Sequence, residues 1–225
     1  YLQKLGLISI NRNFFMTEIE GVIKFSLDYV QKAASLEDID ELNVLRSLFF
    51  QMGFVGQDPA RYAGYGFGNL SVRSSVNPDH FIITGTQTGH HADLSVQHYS
   101  TVNNCDISAN AVKAHGPVKP SSEALTHAMF YQLEPSVNCV LHTHSPELWR
   151  FGLAQGYPST DKSVAYGTVE MAQEIKRMYE NNDFQQRQVL VMAGHEDGVI
   201  SFGNSVDEAG MAMLQFYVDA CTGNH

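Results

Sequence analysis

Cysteine is scarce: Cys105, Cys139 and Cys221 are the only three in 225 residues, scattered and without CxxC spacing. An odd, dispersed set excludes a disulfide framework and a thiolate zinc knuckle, and it fits a reducing, cytoplasmic setting. Basic residues are also few, 14 Lys plus Arg against 24 Asp plus Glu, for a net charge of −10. No basic stripe interrupts that balance, so neither nucleic acid nor an anionic membrane is an expected partner. Long apolar runs are missing as well; none approaches the roughly 18 residues needed to span a bilayer. Residues 1–15 lack the charged start, apolar run and small-residue cleavage site of a signal peptide, so export is not expected. With 44% hydrophobic and only 17% charged residues, the chain has core material for a folded domain and excludes disorder.

Two glycine-rich turns are present, Gly66-Phe67-Gly68-Asn69-Leu70-Ser71 and Thr84-Gly85-Thr86-Gln87-Thr88-Gly89. Neither carries the Gly-Lys-Ser/Thr of a P-loop, and no GxGxxG bridges a strand into a helix. Their amides and Asn or Thr side chains could cradle an anionic oxygen, or the segments could be ordinary turns.

Apolar spacing predicts a helix over 19–30, then a second helix through Ile39, Leu42, Leu45, Leu48, Phe49 and Met52, started by a Ser35–Asp38 capping box and stopped at Gly53. Short strands are expected near 70–73, 81–84 and 109–114, and then a helix over 122–132 and a strand over 137–144. The pattern continues with a helix over 169–179, strands over 188–193 and 198–202, and a last helix capped by Ser205 and Glu208. No repeat or linker divides these elements, which reads as one α/β layered domain. A start of translation at Met16 would leave 1–15 as an N-terminal extension and 16–225 as the domain.

The segment Val140-Leu141-His142-Thr143-His144 places two imidazoles two apart on a strand, hence on one face, where they can pinch one metal ion. The alternative is a packed histidine and a helix-end histidine. A catalytic metal site wants a third ligand, and His195, in the glycine-flanked turn Gly194-His195-Glu196-Asp197-Gly198, is the natural candidate. Glu196 and Asp197 add two carboxylates beside it, either tuning the site or facing solvent. Pro120-Ser121-Ser122-Glu123 opens a helix where free amides and the positive end of the dipole would welcome phosphate or carboxylate, unless the serines merely cap it. Glu123 and His127, four apart on that helix, offer a rival metal pair; a carboxylate beside an HxH metal is better used as an acid/base.

In order, Gly68-Asn69-Leu70-Ser71-Val72-Arg73, Phe81-Ile82-Ile83-Thr84-Gly85-Thr86, Lys119-Pro120-Ser121-Ser122-Glu123 with His127, His142-Thr143-His144 and Gly194-His195 resemble the class II aldolase/adducin family. The resemblance runs from about Ile19 to about Ala220. It implies a three-layer α/β/α domain with a mainly antiparallel central sheet, usually a homotetramer with active sites between subunits. It also implies zinc or another divalent metal on His142, His144 and His195, with Glu123 as the catalytic acid/base. Phosphate would be held at Asn69, Ser121, Ser122 and Thr86, with either Gly85 or Gly89 as the glycine of the phosphate loop. The implied chemistry belongs to carbohydrate metabolism: reversible carbon–carbon cleavage of a small phosphorylated or carboxylated sugar through a metal-stabilised enediolate, as in L-fuculose-phosphate aldolase. An epimerase or a methylthioribulose-phosphate dehydratase on this scaffold is the alternative, and a non-catalytic adducin-like module the third reading. The chain departs from the aldolase pattern in three places. The stretch after His144 is short, so the neighbouring subunit's proton-donating tyrosine has no match in Tyr157 or Tyr166. His-Gly is replaced by His195-Glu196-Asp197-Gly198, and the 84–89 turn lacks the usual proline.

Overall fold

Short runs of β-branched and aromatic residues, bounded by glycine, proline and asparagine, supply strands whose ladder places the candidate residues. The computed structural model describes residues 21–34, 37, 39–183 and 187–223. In chain order the elements are β1 (Ser26–Gln31), α1 (Asp40–Gln51), β2 (Gly56–Gln57), β3 (Gly66–Phe67), β4 (Asn69–Arg73), β5 (Phe81–Thr84), β6 (Tyr99–Asp106) and β7 (Ala111–Gly116). They continue with α2 (Ala124–Leu133), β8 (Cys139–His144), α3 (Pro146–Ala154), α4 (Val169–Glu180), β9 (Val189–Val191), β10 (Gly198–Gly203) and α5 (Val206–Thr222).

Eight strands form one sheet in the order β1-β7-β6-β5-β4-β8-β10-β9, with β2 and β3 in a separate ribbon. Among the described strands β1 and β7 pair in parallel and every other pair is antiparallel. Leu125 and Met129 of α2 and Met171 and Ile175 of α4 pack on one face against Ile83, Val140 and Ile200. Leu42 and Phe49 of α1, Leu148 of α3, and Met213 and Phe216 of α5 pack on the other against Leu70, Leu141 and Val199. The result is a three-layer α/β/α domain with a mainly antiparallel central sheet. No helix among the described residues is long and apolar enough to cross a membrane.

The expected helix over 19–30 is not formed where the structure describes it: Ser26–Gln31 is a strand. Leu27 and Tyr29 turn inward while Ser26, Asp28 and Val30 face solvent, a period of two that the isolated apolar spacing concealed. Pairing with β7 decided the outcome. The N-terminal extension, the Met16 start and the Ser35–Asp38 capping box lie outside the described residues; α1 begins at Asp40, with Ile39 at its N-cap and no side-chain cap. Four elements escaped the sequence reading, two of them the short strands β2 and β3 inside the glycine- and aromatic-rich stretch 56–68, expected as a loop. The third is β6, which contains Asn103 and Asn104. The fourth is α3, although Ser145 at its N-cap followed by Pro146 is a helix-start signal. Ser205 caps α5 as expected, accepting from the Glu208 N–H at 3.1 Å.

Candidate metal centre and anion pocket

Alternation along β8 sends Val140 into the core layered by α2, and Leu141 and Thr143 toward α5, so His142 and His144 project on the α2 side. Both neighbours of β8 bring further site residues into register. Asn69 of β4 pairs with His142, and Gly198 of β10 pairs with His144. His195 reaches in from the β9–β10 turn, where its N–H donates to the Met192 carbonyl and its carbonyl accepts from Gly198, each at 3.0 Å. A Cβ at Gly198 would lie 2.8 Å from His195 Cδ2 and 3.2 Å from His142 Cε1, so the two imidazoles occupy the space that a side chain would need.

The ligand nitrogens of His142, His144 and His195 all lie within 4.8 Å of one another, and the three residues are at most 2% exposed. His142 Nε2 and His144 Nε2 are 3.0 Å apart. Glu123, at the N-cap of α2, turns its carboxylate into the same cluster, with Oε1 3.1 Å from His142 Nε2 and 3.4 Å from His195 Nε2. Its other oxygen, Oε2, is buried with no hydrogen-bond partner among the described residues. Burial pushes the Glu123 carboxyl up, and the adjacent His142 and His195 more than reverse this, holding it well below the usual carboxylate range. Burial, reinforced by His195 and His142, keeps His144 well below the usual imidazole range and therefore neutral, the form that ligates metals.

This donor set fits a divalent cation. Burying converging imidazole lone pairs and an ionised carboxylate is costly unless a positive charge compensates them. Nitrogens about 2.0–2.1 Å from a tetrahedral ion stand roughly 3.3 Å apart, close to the separation of the two Nε2 atoms. The rival Glu123–His127 pair does not form a metal group, because His127 Nδ1 is hydrogen-bonded to Ser71 Oγ at 2.7 Å and the residue lies outside the three-histidine cluster.

Asn69, Thr86, Ser121, Ser122 and Glu123 line a single pocket together with Gly68, Gly85 and Gly89. The 84–89 turn is laced to the start of α2: Thr86 N–H donates to the Lys119 carbonyl at 2.9 Å, and Ser121 N–H to the Thr84 carbonyl at 3.1 Å. Gly89 lets this turn touch the β2–β3 ribbon, since a Cβ there would fall 2.2 Å from the Gly56 carbonyl oxygen. Ser121 also braces the turn that leads into α2, its Oγ accepting from the Glu123 N–H at 3.3 Å. The pocket and the histidine cluster therefore share one residue, Glu123.

The profile of the family described as "Class II Aldolase and Adducin N-terminal domain" matches residues 59–221. The chain belongs to the class II aldolase and adducin family. Curated relatives from this family carry two activities in their names. A methylthioribulose-1-phosphate dehydratase from Leptospira biflexa is 26% identical, with 63% of this chain and 78% of the relative covered. An L-fuculose phosphate aldolase from Methanococcus maripaludis is 28% identical, covering 63% and 76%. Among solved structures, YgbL from Escherichia coli superposes with a TM-score of 0.61 at 21% identity, covering 81% of this chain and 86% of that one. L-fuculose-1-phosphate aldolase from Thermus thermophilus gives 0.56 at 15% identity, over 81% and 90%.

Among the neighbours of the candidate metal centre, Arg61 and Tyr62 were not singled out from sequence, and Tyr166 was noted there only as a tyrosine without a match. Tyr166 is fully buried and stacks on His195, ring centroids 4.6 Å apart. Tyr157 instead packs against Phe216 in the opposite core, centroids 4.5 Å apart. Tyr62 meets the His144 ring edge-on at 4.8 Å, and Arg61 donates to the His144 carbonyl at 3.3 Å. Their only sequence signal is an aromatic-rich, glycine-bounded loop, which names no partner. Of the two carboxylates beside His195, Glu196 faces solvent and Asp197 accepts from the Tyr62 hydroxyl at 2.7 Å.

Proposed function

We propose that this chain is a zinc-dependent lyase that reversibly cleaves a carbon–carbon bond in a small phosphorylated sugar. The observation carrying the proposal is the double placement of Glu123, within 3.1 Å of a candidate ligand nitrogen and in the lining of the anion pocket. His142, His144 and His195 would hold the metal, and zinc suits three imidazoles with a position left for oxygen. When bound, a divalent cation supplies Lewis-acid stabilisation of the negative charge developing on the substrate's carbonyl and adjacent hydroxyl oxygens.

The remaining steps fall to the chain's own groups. Ser121, Ser122, Asn69 and the backbone around Thr86 bind the phosphate at the start of α2, where the helix dipole favours an anion. Anchoring that end fixes the reacting carbons beside Glu123. Glu123 Oε1 is held by the imidazoles, and Oε2, without a partner among the described residues, is the atom that takes and returns the proton. The proposal extends to a homotetramer, for which Val44 and Leu48 on α1 and Met211 and Val218 on α5 offer exposed apolar surface. The three free cysteines support a reducing, cytoplasmic location.

A second reading, dehydration of a ketose phosphate, is favoured by the similarity to the Leptospira biflexa dehydratase. It uses the same binding groups and asks Glu123 to remove a proton next to a departing hydroxyl.

The test combines metal analysis with product identification on a panel of ketose phosphates. Wild-type protein should hold about one divalent ion per chain, lost in His142→Ala with His144→Ala. Glu123→Gln should keep the metal and lose about 10²–10⁴ in turnover. Full turnover by Glu123→Gln, or metal-free wild-type protein, would overturn the assignment. Two carbon fragments identify the aldolase, and loss of water with the carbon skeleton intact identifies the dehydratase.

A further inference from the structure

The loop between β2 and β3 holds its backbone where side chains are rarely tolerated. Tyr62 and Ala63 have φ of 48° and 54°, followed by Gly64 at 79°, and Asp197 in the His195 turn has φ of 64°. Non-glycine residues adopt the left-handed region at an energetic cost and stay there only where their surroundings over-determine them.

The surroundings are the two segments that carry the outer pair of candidate ligands. Arg61 donates through Nη1 to the Gly53 carbonyl at 3.0 Å and through Nη2 to the His144 carbonyl at 3.3 Å. The same Nη2 donates to the Tyr62 hydroxyl at 2.8 Å, and that hydroxyl donates to Asp197 Oδ2 at 2.7 Å. The Asp197 carbonyl in turn accepts from the Ser145 N–H at 2.9 Å, one residue beyond His144. The Tyr62 ring, wedged against Phe67 at 5.0 Å, closes on the edge of His144. Charge is balanced along the chain of contacts, guanidinium to phenol to carboxylate, in a half-buried setting where such hydrogen bonds are strong.

We propose that Arg61, Tyr62 and Asp197 form a clamp that sets the spacing of His144 and His195, making them positioning residues of the metal centre. The proposal rests on the reading that the three histidines hold a divalent cation. Metal-ligating imidazoles are normally oriented by a hydrogen bond from the second ring nitrogen. At His144 the Tyr62 ring and the Arg61 contact to the backbone carbonyl add to that orientation. Tyr62 supplies both a ring against one ligand and a hydroxyl to the turn of another. It lies 135 residues from Asp197, so the clamp is a tertiary device rather than a local turn.

The experiment is titration of the metal-free full chain with Co²⁺ alone, following the visible ligand-field bands and measuring affinity by chelator competition. Tyr62→Phe keeps the ring and drops the hydroxyl; Asp197→Asn keeps the shape of the turn and removes the charged acceptor. Each should weaken Co²⁺ binding about 10–100-fold and alter the band pattern. The double variant should be no weaker than the worse single one, because both act through one contact. Tyr157→Phe, which removes a tyrosine–Asp219 hydrogen bond in the opposite core, should leave the titration unchanged. Wild-type affinity and bands in both Tyr62→Phe and Asp197→Asn would overturn the clamp. Failure of the wild-type chain to bind Co²⁺ would instead overturn the metal reading on which it stands.

Discussion

Asn69 stands directly across the β4–β8 ladder from His142, so a residue of the candidate anion pocket and a candidate metal ligand are cross-strand partners on one face of the sheet. Backbone pairing fixes their spacing, and Asn69 Oδ1 is buried with no hydrogen-bond partner among the described residues. A substrate hydroxyl or a phosphate proton could satisfy it. Asn69→Ala is expected to raise KM for a phosphorylated substrate about tenfold, the equivalent of roughly 1.4 kcal/mol, while metal content stays at the wild-type value. Steady-state kinetics with metal analysis on the same preparation checks both halves.

The adjacent serines should separate binding from stability. Ser121 Oγ accepts from the Glu123 N–H, whereas the structure gives Ser122 no such bond to the helix start. Ser121→Ala should cost about 1 kcal/mol in urea unfolding as well as substrate affinity. Ser122→Ala should lose affinity alone, and equal destabilisation by both variants would contradict the division.

Acid should destabilise the metal-free protein earlier than carboxylate titration would. Burial pushes His127 down to about 3 and holds His144 well below the usual imidazole range. Between the folded value and the unfolded value of about 6.5, the unfolded chain binds more protons, so stability falls as pH falls through that window. Each such histidine contributes up to about 1.4 kcal/mol per pH unit. Urea unfolding from pH 7 to pH 4 should show this slope, and His127→Gln should flatten it.

Gly198 faces a steric limit set by the cluster itself. In Gly198→Ala the new methyl would sit 2.8 Å from His195 Cδ2 and 3.1 Å from the His195 carbonyl oxygen. The expected cost is about 1–3 kcal/mol, with loss of bound metal as the ring is displaced. A crystal structure or metal analysis of the variant decides it.

Much of this was legible before any fold was known. The HxH spacing declares a shared face on any strand, and Pro120-Ser121-Ser122-Glu123 marks a helix start whatever surrounds it. The capped start of α5 at Ser205 is equally local. Other features were hidden for the same physical reason. The amphipathic spacing before residue 30 suited a helix until an edge pairing with β7 made Ser26–Gln31 a strand. Polar Asn103 and Asn104 disguised β6 because a register shift between Val102 and Asn104 breaks the alternation there, and such a bulge depends on pairing with β7.

From its residues alone the chain specified which side chains could bind metal and anion, because ligand chemistry, strand alternation and helix capping are short-range properties. That His195 closes the pair from β8, that Glu123 serves both cluster and pocket, and that Tyr62 reaches Asp197 were decided only by tertiary structure. Those contacts span dozens of residues, and packing two helical layers onto one twisted sheet brings them within hydrogen-bond distance.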